Sequence, residues 1–232
     1  MNVENTNFFV KTLLALHNAG ALRELILVGS WCHHLYRIYF NNAPEIPIIR
    51  TLDIDFLIPN PARIKQEISI PEILTSLDFI PLHNYITGLT KYIHPELELE
   101  FLTPDLGRGK GSTPYNIPKL HINAQGLRYL NLIQDHILEI EYLNMIIKVP
   151  EPAAYVLHKF IVFELRNQEA KQERDLYSAK AITEFLIGND NQNQKLVNIF
   201  YSLPLKWQKK ILKNTKLHYK SLYDFLIQNI DN

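Results

Sequence analysis

A chain of 232 residues with 47% hydrophobic and 21% charged side chains can bury a substantial core, which excludes a disordered or low-complexity protein. Its 24 basic side chains balance its 24 acidic ones, so no overall field draws the molecule to a polyanion. Cys32 is the only cysteine and no apolar run reaches ~18 residues, which excludes an intrachain disulfide, a cysteine-based zinc site and a spanning segment. With no basic N-terminal segment leading into an apolar core, the chain is expected to be soluble and cytoplasmic.

Residues 5–19 place Phe9, Leu13 and Leu16 on one helical face, with Gly20 as the C-terminal cap, and this helix is expected to cover a sheet. A buried strand, Leu25 to Val28, then runs into Gly29-Ser30 and the helical pattern of Trp31, Leu35 and Ile38. Gly29 permits a sharp exit and close approach of a ligand, and Ser30 is expected to cap the helix, whose free N–H groups attract phosphate. His33 and His34 point about 100° apart on a helix, so they cannot form a helix-face metal pair.

After a loop at residues 41–44, a second strand is predicted over Ile48 to Ile58, carrying Asp53-Ile54-Asp55. Alternation puts both aspartates on one face, with Leu52, Ile54 and Phe56 on the other. Two such carboxylates repel unless a cation sits between them, and a hard ion such as Mg²⁺ prefers carboxylate and phosphate oxygens. Beside a Gly-Ser turn, they predict a site for a nucleoside triphosphate with its metal. Arg50 and Thr51 lie just upstream; Arg50 could reach a phosphate or balance Asp53 or Asp55.

Pro71-Glu72 opens a short helix containing Ile73, Leu74 and Leu77, and residues 79–102 read as strands with turns at His83-Asn84 and His94-Pro95. In the last of these, Glu98 and Glu100 share a face while Leu97, Leu99 and Phe101 turn inward, as in a strand supplying a third carboxylate or in a plain solvent-facing strand. Gly107, Gly109 and Gly111, interspersed with Arg108 and Lys110, make a basic loop that could close over a substrate or simply cover a surface. A helix is predicted from Ala124 to Gln134 and two strands within 137–149. The Pro150-Glu151-Pro152 segment then marks a boundary between domains at 1–149 and 150–232.

Beyond that boundary every pattern is helical, with a polar run at Asn189 to Gln194 and a final pair at 195–202 and 205–228, broken at Pro204. Lys159 is a cation on an apolar segment and needs a partner, while Lys171, Arg174, Asp175 and Ser178 fall on one face of the next helix. Residues 1–147 hold 11 basic and 15 acidic side chains and residues 148–232 hold 13 and 9, so the basic excess is C-terminal. Part of it is Lys206, Lys209, Lys210, Lys213, Lys216 and Lys220, which form either a solvated face or a phosphate-backbone contact.

In order and spacing, Gly29-Ser30, Asp53-Ile54-Asp55 and Glu100 resemble the pattern of the nucleotidyltransferase superfamily, the group that shares a fold with DNA polymerase β. Leu127-Arg128-Tyr129-Leu130, Val149 to Pro152, Leu157-His158-Lys159 and Lys171 to Asp175 are similar to a bacterial branch of minimal nucleotidyltransferase-like proteins of mostly unassigned substrate. The resemblance implies an α+β fold, a mixed β-sheet flanked by helices, followed by a C-terminal helical region that completes the nucleotide cleft. It implies Asp53, Asp55 and Glu100 as catalytic residues and ligands of Mg²⁺ or Mn²⁺; Glu100 is favoured over Glu98 because it precedes Phe101-Leu102-Thr103-Pro104, as the acid of that branch does. Gly29, Ser30, Arg50, Thr51, Lys159, Lys171 and Arg174 are then the nucleotide-binding residues, together with Asp175, which would orient one of the cations.

The expected reaction moves a nucleoside monophosphate from a triphosphate to a hydroxyl acceptor and releases pyrophosphate. The acceptor could be an RNA end, a protein or a small molecule; toxin-like transfer to tRNA, with an antitoxin-like protein partner, is one specific form. The rival readings are a silent nucleotide-binding module of the same fold and a nucleic-acid-binding adaptor that uses the face from Lys206 to Lys220.

Overall fold

The computed structural model describes residues 3–49, 51–105, 107, 113–165 and 169–229. It is an α+β fold: a mixed sheet with flanking helices, followed by C-terminal helices. The chain divides into two compact units, Met1–Leu35 with Ile48–Pro150, and Tyr36–Pro47 with Glu151–Asn232.

Alternation builds the centre of the first unit. Strand β1 (Ile26–Val28) pairs antiparallel with β2 (Asp53–Leu57), which pairs in parallel with β5 (Glu98–Pro104). The other edge of β5 is shared: β4 (Thr90–Ile93) runs antiparallel to its first half and carries β3 (Ile80–His83) outside it. Strand β7 (Ile122–Leu127) runs parallel to the second half of β5 and carries β6 (Tyr115–Ile117). On one face of this sheet Ile54, Phe56, Leu99, Phe101 and Tyr92 are buried, Phe56 lying over Phe101 at 6.3 Å. Helix α1 (Val3–Asn18) buries Phe9, Leu13 and Leu16 completely, and Phe9 stacks on Trp31 at 3.8 Å. Gly20, in the left-handed region at φ 80°, returns its N–H to the His17 carbonyl and ends the turn, as its position predicts.

In the first unit, helix α3 (Ile70–Thr75) ends before Leu77, and one strand and one further helix differ from the sequence reading. The strand expected over 48–58 is confined to Asp53–Leu57, whose parallel partner begins at Glu98, opposite Asp53. Leu52 is therefore 44% exposed rather than packed with Ile54 and Phe56. The helix expected from Ala124 divides into β7 and a short α4 (Leu130–Gln134), separated by Tyr129 at φ 69°. Ile122 and Ala124 alternate with Asn123 into the core, and pairing with both β5 and β6 overrides local helical propensity. Asn123 itself accepts from the Thr90 N–H at 3.0 Å and donates to the Gly88 carbonyl at 2.9 Å, tying down the β3–β4 connection. The remaining strands of the unit, β8 (Ile137–Tyr142) and β9 (Met145–Pro150), form a separate hairpin.

The second unit is built around α5 (Pro152–Val162), buried throughout except at Lys159. It packs against α6 (Glu169–Ile187), α7 (Asp190–Ser202) and α8 (Leu205–His218). At the start of the polar run, the Asn189 side chain caps α7 by accepting from the Gln192 N–H at 3.2 Å. The final helix expected over 205–228 divides at Tyr219, whose extended backbone separates α8 from α9 (Lys220–Gln228) and whose ring stacks parallel to Phe160 at 6.2 Å.

Candidate active site

The face of the sheet opposite Phe56 and Phe101 begins acidic and ends apolar. Register places Asp53 beside Glu98 and Asp55 beside Glu100, and residues paired in a ladder share a face. Two residues further along, Leu57 and Leu102 continue the same rows into a buried cluster with Ile26, Val28, Leu130 and Ile133. The four carboxylates thus occupy the first halves of two adjacent parallel strands, over an apolar floor that fixes their backbone. Asp53 is exposed, while Asp55, Glu98 and Glu100 are half-buried.

Strand β1 delivers the turn to this row. Val28 stands opposite Asp55, and the next residue, Gly29, sits at φ 77°. A Cβ built at Gly29 would lie 2.6 Å from Asp55 Oδ2, so only glycine lets the main chain come this close to the carboxylate. Gly29→Ala combines a left-handed backbone penalty with that clash and is expected to cost about 1–3 kcal/mol while displacing Asp55. Thermal unfolding should detect the loss, and a variant as stable as wild type would show that the turn relaxes freely. Ser30 is not a helix cap: it lies inside the turn Gly29–Trp31, whose N-cap is Val28 and which runs directly into α2 (Cys32–Tyr39). Thr51 braces the start of β2, its Oγ1 accepting from the Asp53 N–H at 3.1 Å.

One residue of this face escaped the sequence reading. Lys91, on β4, forms an ion pair with Glu100. Its signal was the short alternation Thr90-Lys91-Tyr92, but linking it to Glu100 needs the β4–β5 register. Tyr92, its neighbour on the other face, has its phenol pushed up to about 12 by burial and stays neutral as a core side chain.

Lys159 and Arg174 belong to the second unit. Lys159 forms an ion pair with Asp175 on α6, both side chains being only 11–13% exposed, and its ammonium stands 5.3 Å from the centre of the Tyr155 ring. Tyr155 and Ser178 share a buried hydrogen bond of 2.8 Å, so Asp175 and Ser178 use one face of α6. Arg174 does not join them; it is exposed, with Nε donating to the Ala170 carbonyl at 3.4 Å. Arg50, the Lys171 side chain and most of the basic loop, with Arg108, Gly109, Lys110 and Gly111, lie outside the described residues. His33 is fully buried and His34 bonds to the Tyr142 hydroxyl at 3.2 Å.

The donor set suits a hard divalent cation, since Asp53 and Asp55 offer carboxylate oxygens from one face and Gly29 keeps the space beside Asp55 clear of a side chain. Among the described residues, no three His, Cys, Asp or Glu side chains are gathered to hold an ion, which is consistent with Glu100 being drawn to Lys91. No described helix is long and apolar enough to cross a membrane.

Comparison with known proteins bears on the family and the fold. A family profile described as nucleotidyltransferase matches residues 7–197. Among solved structures, the crystal structure of an antigenic nucleotidyltransferase-like protein from Paracoccidioides brasiliensis shares the fold, with a TM-score of 0.52 over 94% of this chain and 91% of that one at 14% identity. No curated protein matches the chain significantly by sequence.

Proposed function

We propose, from the premise that this chain belongs to the nucleotidyltransferase family, that it transfers a nucleoside monophosphate from a nucleoside triphosphate to a hydroxyl acceptor in a metal-dependent reaction. The observation that carries the reading is the register of Asp55 with Glu100, with Gly29 against the Asp55 carboxylate. Asp53 and Asp55 would hold Mg²⁺ or Mn²⁺, which when bound neutralises triphosphate charge and polarises the α-phosphoryl group. The Gly29-Ser30 turn lines the place of the phosphates, and Thr51 keeps Asp53 at the strand entrance. Glu100 orients the acceptor hydroxyl and takes its proton as the oxygen attacks the α-phosphorus, the α–β anhydride bond breaks and pyrophosphate leaves. Arg50, Lys159, Lys171, Arg174 and Asp175 remain candidates for nucleotide contact on the strength of the resemblance.

Millimolar Mg²⁺ together with one of ATP, GTP, CTP or UTP is expected to raise the melting temperature, and neither partner alone should do so to the same extent, since the carboxylates repel a bare triphosphate. No shift with any of the four would remove the reading's support and favour the silent or adaptor form.

A feature of α8 favours RNA, tRNA included, as the acceptor. Lys206, Lys209, Lys213 and Lys216 are all exposed, recur every three or four residues along one helix face, and share the helix with no acidic residue. Lys213 also pairs with Glu164, and Lys216 lies 5.7 Å from the Tyr223 ring, so the stripe is partly engaged within the fold. Replacing Lys206 and Lys209 with glutamine is expected to weaken RNA binding several-fold at low salt and to flatten its salt dependence by about one to two units of slope. RNA binding unchanged in affinity and salt slope would return the stripe to an ordinary solvated face, leaving a protein or small-molecule acceptor.

A further inference from the structure

The face that carries the carboxylates does not end at β5. In one row the register reads Asp53, Glu98, Ile93 and Ile80, from β2 through β5 and β4 to β3. In the next it reads Asp55 and Glu100, then Lys91, ion-paired with Glu100, and Leu82 opposite Lys91. Alternation supports the placement, because Phe79 and Tyr92, the chain neighbours of Ile80 and Lys91, are buried in the opposite core. Ile80 and Leu82 are instead 70% and 60% exposed. Two large aliphatic side chains thus lie open on the acidic side, two strand spacings, or about 10 Å, from the column of Glu98 and Glu100.

The outer edge of β3 is closed to strand pairing. The Asn84 N–H donates to the Leu89 carbonyl at 2.8 Å, and alternation of hydrogen-bonded pairs back along the hairpin leaves the Pro81 nitrogen on the outer edge, with no proton to give. The hairpin is also held in shape: Asn84 Oδ1 accepts from the Ile86 and Thr87 N–H groups at 3.0 Å, and Asn123 bonds to Gly88 and Thr90. What β3 offers is a preformed face rather than an edge. Ile80 and Leu82 stand ~7 Å apart along the strand, which suits one planar ring and falls far short of the ~800 Å² per partner of a stable protein interface.

Position in the row selects the substrate. The Gly29-Ser30 turn approaches Asp55 from β1, at the opposite end of the sheet from β3. With the triphosphate at that turn and Glu100 toward the acceptor, the aliphatic pair lies on the acceptor side. A phosphate laid there would meet Glu98, whereas a 3′-terminal nucleoside carries its base and hydroxyls with no phosphate beyond them.

We propose that Ile80 and Leu82 form a shelf that takes the unpaired base of a 3′-terminal RNA nucleoside while its ribose hydroxyl lies at Glu100. This rests on the transfer reading with an RNA acceptor and adds to it the end of the RNA and the residues that hold it; the bonds made and broken are those given above. An aliphatic shelf touches a base through its face, so it selects for an unpaired end and little for base identity.

The test compares two 5′-fluorescein-labelled single-stranded RNAs of one sequence, one intact and one with an abasic ribose at its 3′ end, binding to the full-length protein in Mg²⁺ by fluorescence anisotropy. Wild type is expected to bind the intact RNA about fivefold more tightly, the low end for a base packed on a side chain. Ile80→Thr with Leu82→Thr, which keeps strand propensity but removes the aliphatic surface, is expected to bind both RNAs equally, with the nucleotide-dependent thermal shift in Mg²⁺ unchanged. Ile80→Val with Leu82→Met should keep the distinction. Equal affinity of wild type for the two RNAs, or an undiminished distinction in the threonine variant, overturns the shelf while leaving the transferase reading intact. A folded threonine variant that also loses the thermal shift assigns the pair to the integrity of the site and overturns the acceptor role. Absence of the thermal shift in wild type overturns the transferase reading and the shelf with it. If the double variant fails to fold, each single threonine variant is read against the same two RNAs, and an undiminished distinction in both overturns the shelf.

Discussion

Asp55→Asn is expected to lower nucleotidyl transfer by about 10³-fold or more. The loss follows from charge: a neutral amide replaces an anionic oxygen ligand of a hard cation, and a bound ion contributes several kcal/mol of transition-state stabilisation, each 1.36 kcal/mol of which is tenfold in rate. The amide is nearly isosteric with the carboxylate, so the close approach of Gly29 is undisturbed. Transfer and unfolding measured on the same preparation separate the possibilities. A folded variant with wild-type transfer would sink the mechanism.

What the sequence could express was local, and the two acidic strands show it. Period-two alternation in Asp53-Ile54-Asp55 and in Leu97 to Leu102 is a property of each strand alone, so the face of each carboxylate could be read directly, as could the two buried residues between them. That Asp55 lies beside Glu100 rather than Glu98 is a property of pairing, which only the fold supplies. The same distinction explains Lys91. A lysine in a four-residue strand carries no mark of function until β4 is aligned with β5, whereas Lys159 could be recognised as needing a partner because its own helix is apolar. The differences have one origin as well: the alternation in β7 is too short to outweigh a helical period, and the residue type of Ser30 favours a cap, but tertiary pairing and the tight turn at Gly29 decide otherwise.

Lys159→Ala is expected to destabilise the second unit by about 3 kcal/mol, because it breaks a largely buried ion pair with Asp175. With the side chains 11–13% exposed, water offsets part of that cost, which places the expectation at the low end of the 3–5 kcal/mol seen for broken buried pairs. In a chain of this size it corresponds to a fall in melting temperature of about 6–12 °C. Removing both charges is the informative control: Lys159→Met with Asp175→Leu should recover most of the loss, since an apolar pair of similar volume replaces a buried ion pair at little cost. The double variant also isolates function, because it restores packing without restoring the ammonium. If it is stable yet shows a greatly reduced nucleotide-dependent thermal shift in Mg²⁺, Lys159 contributes its charge to the triphosphate as well as to Asp175. If the shift returns in full with stability, the pair is structural, and the nucleotide role assigned to Lys159 by resemblance falls.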